Sequence, residues 1–204
     1  MCGGNLACRQ TRIPKSNALD PNFSNLEEKG RLHFFYHSPS SKLPVRGVLN
    51  KQEQGHKTEP YIEKCAENYC SECNQANIRG FLESNEEYLF LFTTCRYKGS
   101  KHLGKVYIVG YIEKNRYELR AGGFYAAIGP LKMFSFNDAW SLGKSRYDNN
   151  PRQIQKKLSP RRTQQILDHF EGKKNILDRC RMEVEKLKRQ LPIKVRRSQA
   201  KRCK

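Results

Sequence analysis

The sequence predicts an α+β fold: a small curved sheet or β-barrel with flanking helices, plus a basic helical C-terminal extension. Three observations predict it. Two apolar runs rich in β-branched and aromatic residues, EYLFLFTTC (87–95) and KVYIVGYIEK (105–114), occupy the middle of the chain. Shorter strand-like runs broken by Gly122, Gly123 and Gly129 follow them. From residue 141 onward the character changes to helical periodicity, with 20 Lys/Arg against 6 Asp/Glu.

The elements follow in order. Residues 1–30 are polar and aperiodic and read as a flexible N-terminal arm. RLHFFYH (31–37) is a first short strand, and residues 38–60, with their prolines and glycines, a long loop. Pro60 opens a short helix. A second helix runs from about Glu72 to Leu82, with Ser71 as its cap and Ile78, Phe81 and Leu82 facing inward. The two central runs are strands buried on both sides, joined by the hairpin loop RYKGSKHLG. RYELRAG, FYAAIG and LKMFSF add shorter strands, and Asn137 caps a short turn, DAWSL. Ser159 and Pro160 make a cap and first-turn pair for a helix carrying Ile166, Leu167 and Phe170 on one side. Gly172 interrupts it. A last helix places Ile176, Cys180, Val184, Leu187 and Leu191 near one face and stops at Pro192. The organisation is therefore an arm (1–30), an α+β domain with a cysteine-cluster insertion (31–142), a basic helical region (143–191) and a basic disordered tail (192–204).

With 204 residues, 37% of them hydrophobic, the chain can bury one modest core. It has no run of 18 apolar residues and no apolar signal-peptide stretch near its N-terminus, so it reads as soluble and cytoplasmic, with no membrane partner. In that compartment eight cysteines are reduced thiols or metal ligands rather than disulfides.

The net charge of +19 is uneven: residues 141–204 carry +14 and residues 1–140 only +5. A block of this kind attracts polyanions, because each neutralised phosphate releases condensed counterions. The block lacks the aromatic and Leu face of a membrane-surface helix, which leaves DNA or RNA as the expected partner. Phosphate contacts are expected from Arg161, Arg162, Lys173, Lys174, Lys188, Arg189, Arg196 and Arg197. Aromatic residues around glycine breaks and loops, Phe124, Tyr125, Phe136 and Trp140 above all, are candidates for stacking on bases, although any one of them can equally close the end of the sheet. Phe90 and Phe92, at alternate strand positions, belong to the core.

Cys65, Cys70 and Cys73 have the spacing C-x4-C-x2-C, whose last pair is a chelate bite. With Cys95 or His56 as a fourth ligand they would hold a structural zinc; the same spacing occurs in plant-type iron–sulfur loops, a less fitting match for a basic protein. Core thiols are the alternative. The opening MCGG resembles the start of the N-terminal-nucleophile glutamine amidotransferases and of the SRAP family, which would make Cys2 a nucleophile. Those groups run straight from the cysteine into a strand, whereas here a polar segment follows, and Cys2 is read as an ordinary residue of the arm. No GxSxG, HExxH or P-loop is present, Glu86 and Glu87 read as a charged strand start, and no catalytic residue is assigned. Two other classes stay open: a nucleic-acid-modifying or nuclease-associated enzyme using Cys2 or the cysteine cluster, and a zinc-stabilised protein-interaction adaptor.

The stretch YLFLFTTCRYKGSKHLGKVYIVGYIEK, followed by FYAAIGPLKMFSFNDAW, resembles the PUA-like superfamily of EVE, YTH and ASCH type over residues 31–142. The resemblance lies in the strand GKVYIVGYIEK after a loop and in the later segment FSFNDAW. It implies a small PUA-like β-barrel that reads RNA or DNA, often through a modified base flipped into an aromatic pocket, with Trp140 the candidate pocket residue.

Overall fold

The two central apolar runs become the two innermost antiparallel strands of a six-stranded sheet. The structure, a computed structural model, describes residues 29–47, 62, 69–72, 80–81, 83–120, 124–144 and 157–190, with backbone alone for 69–72, 116–120, 124–128 and 144. Its strands are β1 (Gly30–Phe34), β2 (Tyr69–Glu72), β3 (Tyr88–Thr94), β4 (Lys105–Glu113), β5 (Arg116–Arg120), β6 (Phe124–Gly129), β7 (Leu131–Met133), β8 (Trp140–Lys144) and β9 (Lys157–Leu158). Helices α1 (Pro160–Phe170) and α2 (Leu177–Arg189) follow. Neither helix is long and apolar enough to cross a membrane.

The fold is α+β. The six-stranded sheet is mixed and has the order β7-β4-β3-β1-β9, with β8 also on β4. β1 and β3 run parallel; the other pairs are antiparallel. The sheet is open, so the closed-barrel form of the expectation does not describe it. β7 and β8 share one edge of β4, β8 pairing with its first half and β7 with its second. A separate three-stranded sheet, β2-β6-β5, is antiparallel throughout. It abuts β4 at Gly129, where a Cβ would overlap the Glu113 carbonyl.

Local reading failed at two strands. Ser71 and Glu72 do not start a helix; they end β2, paired with Ala127 and Ala126 of β6. A ladder partner from far along the chain outweighs the capping preference of a serine. Phe81 is nevertheless helical and fully buried. The DAWSL turn likewise stops early. The Ser135 hydroxyl donates to Asp138 Oδ2 (2.6 Å) and closes the turn, and Trp140 then starts β8 opposite Ile108. Asn137 does not cap it; its Oδ1 lies 2.9 Å from His102 Nε2.

Alternation along β3 and β4 builds two cores, one per face. Leu89, Leu91, Tyr107 and Val109 join Ile176, Cys180, Val184 and Leu187 from the α2 side. Phe90, Phe92, Val106 and Ile108 join Ile166 and Phe170 from α1. The β3–β4 register jumps after the Leu91–Gly110 pair, so Val109 is the extra residue of a bulge. Beyond it Tyr111 faces the α1 side and Ile112 the α2 side, a phase shift of one. Gly110 is required there: a Cβ would lie 2.5 Å from the Lys132 carbonyl and 2.7 Å from Met133 Sδ.

α1 starts and stops where the sequence indicates, whereas α2 begins only at Leu177, and Leu191 and Pro192 lie outside the described residues. Ser159 Oγ accepts from the Arg162 amide, Pro160 occupies the first turn, and Gly172 takes the left-handed φ of 69° that ends the α1 segment. One buried ion pair ties β1 to the start of β3. Arg31 donates from Nε and Nη2 to the two oxygens of Glu86 (2.6 and 3.0 Å), with side chains 8% and 2% exposed. Glu87, next in sequence, is exposed and faces Lys29 at 3.4 Å. The two glutamates of this charged strand start therefore have different surroundings: Glu86 is turned inward, where the bidentate Arg31 and the Ser84 hydroxyl make a carboxylate tolerable.

Candidate nucleic-acid interface

Trp140, Arg162 and Lys173, assigned from distant parts of the sequence, converge. β8 presents the Trp140 ring on the α1 side of the sheet, half-buried against the second core. The Arg162 guanidinium, one turn into α1, lies 4.7 Å from the ring centroid. Two turns on, His169 meets the ring edge-on at 5.1 Å. Lys173 Nζ donates to the Asp138 carbonyl (3.0 Å) and reaches His169 Nε2 (2.7 Å). The indole N–H is buried and has no acceptor among the described residues. The cluster thus sets an aromatic ring under a planar cation, with further positive charge alongside; such a stack is worth about 0.5–1 kcal/mol at an exposed site.

Of the other aromatic candidates, Phe136 does not join it. Phe136 is 5% exposed in the α2-side core, wedged between His37 (5.0 Å, edge-on) and His102 (6.0 Å, stacked). It packs against the face opposite Trp140 and has no ring face to offer a base. The turn at 136–139 interrupts the alternation between β7 and β8, which run in the same direction along β4, and leaves the two residues on opposite faces. Phe124 and Tyr125 belong to β6 of the second sheet, opposite Arg120 and Leu119, in the strand that the run FYAAIG predicts. Phe136 and Trp140 therefore do not share one pocket.

Among the cations, Arg161, Arg162 and Lys174 are exposed. Lys188 is engaged by Glu185 at 2.9 Å, and Lys186 by Glu183 at 3.8 Å, so much of the α2 charge is internally compensated. Arg189 is exposed at the end of α2. Arg196 and Arg197 lie outside the described residues, together with the whole of residues 191–204 and their net +6.

The cysteine reading meets the structure at two points. Cys95 is 1% exposed in the α2-side core, its amide and carbonyl spent on Lys105 and Gly104. Cys70 lies in β2, paired with Ile128. Cys65, Cys73, His56 and Cys2 lie outside the described residues, and among the described residues no three metal-ligating side chains come together. Cys180 is a core thiol whose pKa burial pushes up to about 12.

A second feature had no sequence signal. A cleft of about 570 Å³ opens at the carboxyl ends of the parallel strands β1 and β3. Phe34 and Tyr36 form one side as an edge-on pair (4.9 Å), Thr94 the floor, and Arg96, Lys98 and Leu103 the mouth. Behind it sits His37, fully buried. Its Nδ1 accepts from the Arg96 amide and its Nε2–H donates to the Leu43 carbonyl, both at 2.9 Å. Burial holds its pKa down at about 4, with the neighbouring Arg96 charge acting in the same direction and the Leu43 bond opposing. With both ring nitrogens engaged, His37 is a positioning residue: it fixes where Arg96 leaves β3. The cleft arises from pairing two strands 58 positions apart, which no local pattern announces.

Comparison of the chain with protein-family models, curated proteins and solved structures finds no match.

Proposed function

We propose that this protein binds nucleic acid, and single strands in particular, on the α1 side of its six-stranded sheet. The observation that carries the reading is the Arg162 guanidinium held over the Trp140 ring with His169 and Lys173 beside it. Bases stack on guanidinium planes as well as on aromatic rings, and a guanidinium already fixed on an indole loses little freedom when a base covers its outer side. Exposed Arg161 and Lys174, with the +6 of residues 191–204, supply phosphate contacts that position a strand without reading its sequence. Duplex is the poorer fit, because Trp140 is recessed against the sheet and an intact stack hides the ring faces of its bases. The PUA-like resemblance of residues 31–142 points the same way, and a modified base remains a candidate ligand within this reading.

Trp140 is the single tryptophan of the chain and so reports directly on this site. Titration with a short single-stranded oligonucleotide should change its fluorescence saturably. Arg162→Lys keeps the charge and loses the plane. It should cost about 1–3 kcal/mol of binding while leaving the slope of log affinity against log salt unchanged. A parent protein with no saturable response, or an Arg162→Lys variant that binds as the parent does, would overturn the reading.

A further inference from the structure

We infer that the cleft at the ends of β1 and β3 is a second subsite for the same ligand, taking one nucleotide of a single strand that also covers the Arg162–Trp140 pair; this rests on the reading above.

The sheet itself relates the two places. Phe34 pairs with Phe92, Phe92 with Ile108, and Ile108 with Trp140. These four residues form one row across β1, β3, β4 and β8, all on the α1 side. The middle two are sealed, at 2% and 0% exposure, while Phe34 and Trp140 at the ends are half-buried. Three inter-strand steps separate the ends, about 14 Å. Two partly open aromatic residues thus stand at a fixed spacing on one face of a rigid sheet.

The chemistry of the cleft suits a nucleotide. Its volume of about 570 Å³ falls in the range of small-ligand sites. Phe34 and Tyr36 offer apolar ring surface, and Leu103, one of two large hydrophobic residues exposed among the described residues, extends it at 48% exposure. Exposed Arg96 and Lys98 stand at the mouth, and among the described residues no Asp or Glu lines the site. An apolar slot with cations only at its rim matches a planar base carrying a phosphate. A neutral apolar ligand would not need the cations. His37 keeps the Arg96 backbone in place before any ligand arrives.

A length series tests this. At the stacked spacing of about 3.4 Å per nucleotide, a dinucleotide cannot bridge about 14 Å, whereas a hexamer can. Oligothymidylates of two to eight residues should therefore bind the parent with a rise in affinity once both sites are spanned, read by Trp140 fluorescence and by calorimetry. Tyr36→Ala should weaken the hexamer and longer strands about 5- to 150-fold, the loss of one stack; Arg96→Glu with Lys98→Glu should weaken the same strands by removing phosphate contacts; and both should leave the Trp140 response to the dinucleotide unchanged. Because Arg96 and Lys98 are exposed, the charge variant keeps its melting temperature even if Tyr36→Ala does not. If both variants bind every length as the parent does, the cleft is not a subsite and the Arg162–Trp140 reading stands alone. If the parent binds no length, that reading fails and takes this one with it.

Discussion

On the α2 side of the six-stranded sheet, mostly aliphatic residues of β3 and β4 meet Ile176, Cys180, Val184 and Leu187, and only three partly covered residues among those described, Leu43, Tyr97 and Leu177, edge the cluster. On the α1 side, the intervening residues of the same strands are largely aromatic. Phe90 and Tyr111 lie 5.9 Å apart, and Phe134 stacks on Phe170 at 4.1 Å. There Phe34, Tyr88, Trp140, Leu142, Leu158 and Leu167 are only partly covered. α2 lies on its face with an aliphatic stripe that excludes water. α1 shields the centre of the other face and leaves its rim open, with cations along the helix edge. One sheet thus divides two tasks by the parity of its residues: stability on one face, accessible ring surface on the other.

The division can be broken most forcefully at neighbouring positions of β3. Phe90→Ala should cost about 3–5 kcal/mol and Leu91→Ala about 2–5 kcal/mol in urea unfolding, because both side chains are sealed. Phe34→Ala, at the open end of the same face, should cost markedly less stability. If Phe34→Ala is as damaging as Phe90→Ala, the α1 side has no open rim.

His37 sharpens the comparison from the side of pH. Its pKa is about 4 in the folded protein and about 6.5 when unfolded. The unfolded chain therefore takes up the proton first as pH falls. Full stability is present above about pH 6.5 and declines as the pH drops to about 4, by roughly 3 kcal/mol, with no further loss from this group below that. The midpoint of urea unfolding followed across this window should show the decline, and His37→Phe should remove it. A parent profile flat between pH 6.5 and 4 would mean that the ring is not held neutral.

The smallest effect belongs to the helix that edges the open face. Ser159→Ala removes the oxygen that accepts the Arg162 amide and should cost about 1 kcal/mol by thermal melting. The same change loosens the first turn that carries Arg162, so oligonucleotide affinity should fall along with stability, whereas Val184→Ala on α2 should lower stability alone.

What the sequence disclosed depended on whether a feature is local. EYLFLFTTC and KVYIVGYIEK announce β3 and β4 because strands buried on both faces need continuous apolar runs. Ser159, Pro160 and Gly172 mark helix limits by their own stereochemistry. The convergence of Trp140 with Arg162 and Lys173 was legible as composition, a lone indole near a basic helix, though not as geometry. The place of Phe136 is not legible locally, because the side of the sheet it joins depends on the turn that breaks the alternation between β7 and β8. Glu86 and Glu87 look alike in sequence; only the parity of β3 and the position of Arg31 tell them apart. The cleft was invisible because its two walls meet through a parallel pairing.

The position of β1 also sets a timetable for synthesis. Its first neighbour, β3, lies 58 residues downstream, and its second, β9, well over a hundred. At about 5–20 residues per second, a nascent β1 waits about 3–12 s for β3, and longer still for β9. Throughout that interval it is an unpaired edge able to join a stranger's sheet. Arg31, near the start of the strand, carries a charge that makes such a join costly until Glu86, two residues ahead of β3, emerges to neutralise it. The residue that locks the finished sheet thereby also guards the unfinished one.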